Sequence, residues 1–167
     1  MSLDNIQLPA TVLQGLYTKP LYDLNTDRSE STIIQTNNIS YLGNNQKKIM
    51  ILIRSSTAIY LPDDELNFLL GILTACKLGM DDITLINFSR TPSLLYIHLT
   101  EQFMAEKIFL FGVEPAELGL PLAFPHYQIQ HFNNQVYLSA VSLNELQTDK
   151  EEKVKLWSCL KKVFLIG

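Results

Sequence analysis

The sequence predicts an α/β domain of three layers, with helices on both faces of a short, mainly parallel β-sheet. Lys48–Arg54 is a continuous apolar run bounded by charges, which suits a strand covered on both faces in mid-sheet. Two further apolar runs follow, at Ile83–Phe88 and Ile108–Val113, and the intervals between them carry helical periodicity. Strands separated by helices of that length imply parallel pairing through right-handed crossovers.

The elements follow in order. Residues 1–24 form a segment of their own, dense in Leu and Tyr, in which Gly15 and Pro20 prevent one long helix. Residues 25–45 are rich in the turn formers Asn, Thr and Ser, and open a single α/β body spanning 25–167. Within them Thr32–Ile34 and Ile39–Leu42 are expected to pair as a short edge hairpin. A helix is expected from Pro62–Asp63, with Asp63 as N-cap, a buried stripe of Leu66, Leu69, Leu70, Leu73 and Cys76, and a stop at Gly79. Thr91 as cap and Pro92 in the first turn open a second helix, with Leu95, His98, Leu99 and Phe103 facing inward.

Pro115, Pro121 and Pro125 exclude a long helix between 114 and 126, leaving a turn at most over Pro115–Leu118. Tyr127–Phe132 and Gln135–Leu138 flank Asn133-Asn134, a tight hairpin turn. Thr148 followed by Glu151 reads as a capping box for a last helix that buries Val154, Trp157, Leu160 and Phe164.

Composition bounds the function classes. A chain of 167 residues can bury a sizeable core without staples. Apolar residues make up 47% and charged residues only 18%, which leaves room for an apolar patch that meets a partner. A net charge of −4 argues against a dedicated duplex-binding protein, whose surface needs a basic stripe. Cys76 and Cys159 fall on apolar helix faces and read as buried thiols of a reducing compartment rather than a disulfide. The N-terminus lacks a basic region followed by an apolar run, and no apolar stretch reaches the ~20 residues needed to span a bilayer. A soluble, cytoplasmic protein is expected.

The motifs that carry chemistry are sparse. A phosphate cradle needs glycines after the first strand, and Ser55-Ser56-Thr57-Ala58-Ile59-Tyr60 has none, which argues against nucleotide cofactors of the P-loop and dinucleotide kinds. His98, His126 and His131 are scattered without metal-ligand spacing, and His98 reads as a satisfied core histidine. Asp63-Asp64-Glu65 and Asp81-Asp82 are explained by a helix N-terminus and a turn. Lysines 150, 153, 155, 161 and 162 alternate with Glu151 and Glu152, as on the solvated side of an amphipathic helix. Asn87 and Ser89-Arg90-Thr91 lie at the C-terminal end of the second strand, where open α/β sheets place ligands. With Ser55 they make a candidate ligand groove of Ser55, Asn87 and Arg90; the alternative is that Thr91 caps a helix and Arg90 is solvated. The string Leu13, Leu16, Tyr17, Lys19, Pro20, Leu21 and Tyr22 has the composition of a partner anchor, and the alternative is that it packs on its own sheet.

Two family resemblances follow from particular residues. Leu69–Leu73 leading through Lys77-Leu78-Gly79-Met80-Asp81-Asp82 to Ile83–Asn87 resembles the helix–strand unit of the uracil-DNA glycosylase superfamily, whose bacterial branch also ends a strand in Asn. Leu146 with Leu156-Trp157 and Leu160 is similar to that branch's final helix. The glycosylase chemistry does not carry over. Ser55-Ser56-Thr57-Ala58 stands where that family has a Gly- and Pro-rich motif with an acidic residue, and Tyr137–Ser142 stands where it has a His-Pro-Ser loop. Asn87 alone matches.

The order and spacing of the chain are also similar to the psi-subunit family of the bacterial DNA polymerase III clamp loader, a non-catalytic family with a glycosylase-like fold. Leu13–Tyr22 sits where that family has an aromatic and basic N-terminal peptide, a strand of the Lys48–Arg54 kind comes next, and Ser142–Leu146 leads to Leu156-Trp157 at similar spacing. The resemblance implies an interaction subunit with no catalytic residues, metal or cofactor. Its N-terminal peptide would tether to the clamp-loader collar, and its body would hold an accessory replication subunit. The Asn/Thr-rich stretch 25–45 departs from the family pattern. The alternative is a divergent glycosylase-like enzyme, or a nucleobase- or DNA-binding protein, with its site near Ser55, Asn87 and Arg90. A third alternative is a family that inherited only the scaffold.

Overall fold

The structure is a computed structural model that describes residues 39–91 and 95–166. The N-terminal anchor at 13–22, the expected strand Thr32–Ile34 and the expected helix start at Pro92 lie outside the described residues.

The chain folds as three layers. Among the described residues six strands, β1 (Tyr41–Leu42), β2 (Ile49–Ile53), β3 (Ile83–Asn87), β4 (Lys107–Phe111), β5 (Ile129–Phe132) and β6 (Gln135–Ala140), form one sheet in the order β1-β3-β2-β4-β6-β5. The inner four, β3, β2, β4 and β6, pair in parallel, and β1 and β5 pair antiparallel at the edges. All five residues of β2 and all five of β3 are buried, as a mid-sheet parallel strand requires. Burying each of their Ile, Leu and Met side chains stabilises the fold by about 1.5–3 kcal/mol before entropy is counted.

Alternation along the strands sorts the core into two layers. Ile49, Ile51, Ile53, Leu85, Phe109 and Leu138 face α1 (Asp63–Ala75), α3 (Leu143–Thr148) and α4 (Lys150–Phe164). Met50, Leu52, Ile86, Ile108, Leu110 and Tyr137 face α2 (Tyr96–Phe103) and the segment carrying Leu118, Leu120 and Phe124. The chain moves one way across the sheet from β2 to β3 and the other way from β3 to β4. Crossovers of one hand then place α1 and α2 on opposite faces.

Local signals explain most boundaries. Asn133 and Asn134 both take positive φ, 53° and 63°, as a type I′ hairpin turn demands. Gly43 takes φ 105°, and a Cβ there would lie 2.2 Å from the Ile83 carbonyl oxygen, so no other residue fits where β1 leaves β3. Pro115–Leu118 is a single 3₁₀ turn.

Several expectations are corrected. Among the described residues β1 is the two-residue strand Tyr41–Leu42, shorter than the expected Ile39–Leu42, and it pairs with β3; its expected hairpin with Thr32–Ile34 lies outside the described residues. Pro62 occupies the N-cap of α1, with no side-chain capping bond, and Asp63 is the first helical residue, its negative charge favourable at the positive end of the helix dipole. The helix ends before Gly79. Lys77 takes the left-handed conformation (φ 61°), with Leu78 N–H on the Leu73 carbonyl and Lys77 N–H on the Thr74 carbonyl, a Schellman ending in which Leu78 folds back on the core. Leu66 and Leu70 are only partly buried.

Helix α2 begins at Tyr96, after an extended Leu95; Asn87 caps a 3₁₀ turn over Phe88–Arg90, and Thr91 is non-helical. Leu95 is exposed, and His98 is half-buried with its Nδ1 unpartnered among the described residues, so neither belongs to the core. The last helix is capped by Asp149, whose carboxylate accepts from Glu151 and Glu152 N–H, while Thr148 ends α3. Its buried stripe is Leu156, Cys159 and Leu160; Val154 is exposed, and Trp157 and Phe164 are half-buried. Cys76 and Cys159 are buried free thiols.

Two predictions follow from this frame. Lys77→Gly relieves the left-handed strain and raises stability by about 1 kcal/mol in urea denaturation, whereas Gly79→Ala, at an extended φ with open space, loses little. Tyr137 is fully buried, its hydroxyl donating to Gln135 Oε1 at 2.7 Å, and burial pushes its phenol up to about 12. A raised phenol pKa leaves stability intact below pH ~10 and removes it as pH rises toward 12, by on the order of 2–3 kcal/mol. Tyr137→Phe therefore flattens that part of the alkaline decline, measured by denaturation across pH 9–12.

Candidate functional site

Open parallel sheets bind ligands outside the carboxyl ends of their strands, at the point where strand order reverses. Here that point lies between β2 and β4. Arg54, the residue after β2, spans it. Its Nε donates to the Gly112 carbonyl at 3.0 Å, its Nη2 pairs with the Glu117 carboxylate, and its guanidinium carbon lies 5.7 Å from the Phe88 ring centroid. The exits of β2, β3 and β4 are thus tied together by one side chain. Its ion pair is solvent-exposed and contributes modestly, up to ~1 kcal/mol.

Beside it the structure brings together Ser55, Asn87 and Arg90. Asn87 ends β3 and is 3% exposed. A primary amide offers two donors and two acceptor sites. Both acceptor sites of Asn87 are engaged, by Ser55 N–H and Ser89 N–H at 3.1 Å each. Its Nδ2 donates towards the carbonyls of Ser55 (2.8 Å), Ile59 (3.1 Å) and Ala58 (3.2 Å). Ser55 Oγ accepts from Ala58 N–H, and Arg90 Nη2 reaches the Ala58 carbonyl at 3.4 Å. All three side chains are directed at the loop after β2.

A second concavity, of about 610 Å³, lies where β6 hands over to α3 and α4. His126 Nδ1 lies 3.0 Å from Ser139 Oγ, and the Cys159 thiol donates to the Tyr127 carbonyl at 3.1 Å. The Tyr127 hydroxyl is buried without a well-formed hydrogen bond among the described residues, and burial, then Glu152, holds its phenol far above the ordinary range. Glu152 is held low, chiefly by the Lys155 ammonium at 2.8 Å, and the same contact raises Lys155. Burial raises both thiols, which makes them poor nucleophiles. His131 is exposed on the edge strand β5. Among the described residues no three His, Cys, Asp or Glu side chains gather as a metal site would need, and no helix is long and apolar enough to cross a membrane.

The third feature is an apolar groove of about 440 Å³ between α1 and α4. Phe68, Ile72, Leu156, Trp157 and Leu160 form its walls, and exposed Gly71 lies along it, with no atom of another described element within 4 Å of where a Cβ would stand. Sequence reasoning missed this surface. The signal was present: Leu66–Cys76 contains no charged residue, although a surface helix normally carries charge on its outer face.

No protein-family model matches this chain, and no curated protein matches it either.

Asn87→Asp tests the amide's role, because the change keeps shape while turning a carboxylate oxygen towards three carbonyls. It lowers stability by about 3 kcal/mol or more in urea denaturation at pH 7, and by less at pH 3, where the acid is protonated. Arg54→Met lowers it by about 1 kcal/mol or less.

Proposed function

We propose that this chain is a non-catalytic interaction subunit of the DNA replication machinery, similar to the psi subunit of the bacterial clamp loader and working in the cytoplasm. The observation that carries the reading is the state of Asn87. It is the one position that matches the glycosylase chemistry, and its amide is engaged on both atoms by the chain's own backbone. An enzyme that expels a nucleobase must stabilise the charge that develops on the leaving base. Around Asn87 the neighbours Ser55, Arg54 and Arg90 hold loops instead.

On this reading Leu13, Leu16, Tyr17, Lys19, Pro20, Leu21 and Tyr22 supply the tether to the clamp-loader collar, and the α/β body carries an accessory replication subunit. The net charge of −4 favours protein partners over duplex DNA.

The test is a pull-down from the native cell with the full-length chain and with a chain lacking residues 1–24. Clamp-loader subunits are expected with the full-length chain alone, and neither form is expected to excise uracil from DNA. Absence of clamp-loader subunits from both, or measurable base excision, overturns the reading.

A further inference from the structure

We infer that the groove between α1 and α4 receives an amphipathic helix of a protein partner, one with aliphatic or aromatic anchors and acidic flanks. The inference rests on the reading of the chain as an interaction subunit and specifies the chemistry of what its body holds.

The groove's shape suits a helix. Its walls run over residues 67–75 of α1 and 153–160 of α4, roughly 12 Å at 1.5 Å per residue, which is two helical turns with anchors at i, i+3 or i+4, and i+7. The outer face of α1 is exposed, small and uncharged at Asn67, Gly71, Thr74 and Ala75. Mid-helix glycine weakens a helix relative to alanine. Among the described residues nothing crowds Gly71, so the packing they show gives no reason for a glycine, whereas close approach by another backbone does. Trp157 stands half-buried opposite, the kind of large aromatic wall that anchors protein interfaces.

Charge selects the occupant. Lys153, Trp157 and Lys161 lie in one row along α4. The Lys153 ammonium is 5.6 Å from the Phe68 ring centroid, and that of Lys161 is 5.8 Å from the Trp157 ring. Among the described residues Lys153 is the one charged side chain in the groove's lining, with Lys161 one turn beyond Trp157, and no carboxylate lines it. A second copy docking by the same face would set these lysines against their own equivalents. A helix flanked by Asp and Glu would pair with them.

The test uses the full-length chain in its native cell with the photocrosslinker p-benzoylphenylalanine at position Asn67, on the groove's rim. The crosslinked peptide is identified by mass spectrometry. An apolar helix of another protein with acidic flanks is expected. Crosslinks only to a second copy, only to residues 1–38 of the same chain, or to nothing overturn the inference.

The partner so identified is then titrated against purified full-length chain, with emission of Trp157, the single tryptophan, as reporter. Gly71→Phe fills the groove while favouring the helix, and is expected to weaken binding at least tenfold with the circular dichroism spectrum unchanged. Lys153→Glu with Lys161→Glu is expected to weaken it several-fold and to flatten its salt dependence. Unaltered affinity in Gly71→Phe refutes the assignment. If the clamp loader is recovered through residues 1–24 but the groove crosslinks nothing, the groove inference fails and the proposed function stands. If the groove holds an acidic helix of a protein unconnected with replication, the proposed function fails and the groove inference stands.

Discussion

The arrangement depends on one buried amide. Asn87 closes β3, and its side chain hydrogen-bonds the backbone of Ser55, Ala58 and Ile59, fixing the path of the chain after β2. That path delivers Pro62 to the N-cap of α1 and so sets where the helix lies on the sheet. The same oxygen accepts from Ser89 and caps the turn after β3. A buried amide left unpaired costs more than a paired one returns, which is why one side chain can dictate two loops. Arg54 adds an outer tie to Gly112 and Glu117. At the edge where parallel sheets usually keep free functional groups, these groups face inward to their own backbone.

Among the described residues the two faces of the sheet are covered unequally. On one, α1, α3 and α4 pack against β2, β3, β4 and β6; α3 adds Leu143 and Leu146 to the core, and Gln147 reaches the Asp64 carbonyl at the start of α1. Gly71 and Ala75 then give α1 too little side-chain volume to fill the space beside Trp157, and the groove results. Scaffold and surface therefore share a cause. The helices are held firmly by their inner stripes, Leu69, Leu73 and Cys76 on α1 and Leu156, Cys159 and Leu160 on α4. Among the described residues, Asn67, Gly71, Thr74 and Ala75 on the outer face of α1 are exposed.

Much of the frame was legible in the sequence because it is written in local or periodic signals. The run Lys48–Arg54 announced a strand buried on both faces, and Asn133-Asn134 announced a tight hairpin turn. Boundaries were less legible where neighbouring residues compete for one role: Thr148 and Asp149 for a cap, Lys77 and Gly79 for a left-handed stop. The short α3 was missed although Ser142 and Glu145 stand at capping spacing, and Ser142 Oγ does accept from Glu145 N–H. The last helix's inner stripe was misplaced because Trp157, apolar yet half-buried, was read as core. Nothing local could reveal that Asn87 binds a loop some thirty residues back in the chain, or that α1 and α4 lie side by side. Those are tertiary facts. Asn87 therefore read as a ligand group, and the groove did not read at all.

The central claim is that the carboxyl edge of the sheet is closed by its own backbone through Asn87, and its most direct test is native-state hydrogen exchange at two amides, Ser55 and Ser89. Both donate to Asn87 Oδ1. The account predicts protection close to that of the β2 and β3 core, because opening either bond requires the buried amide to leave its site. Exchange of both at the rate of an open loop would mean that the amide is available to a ligand, and would contradict the account.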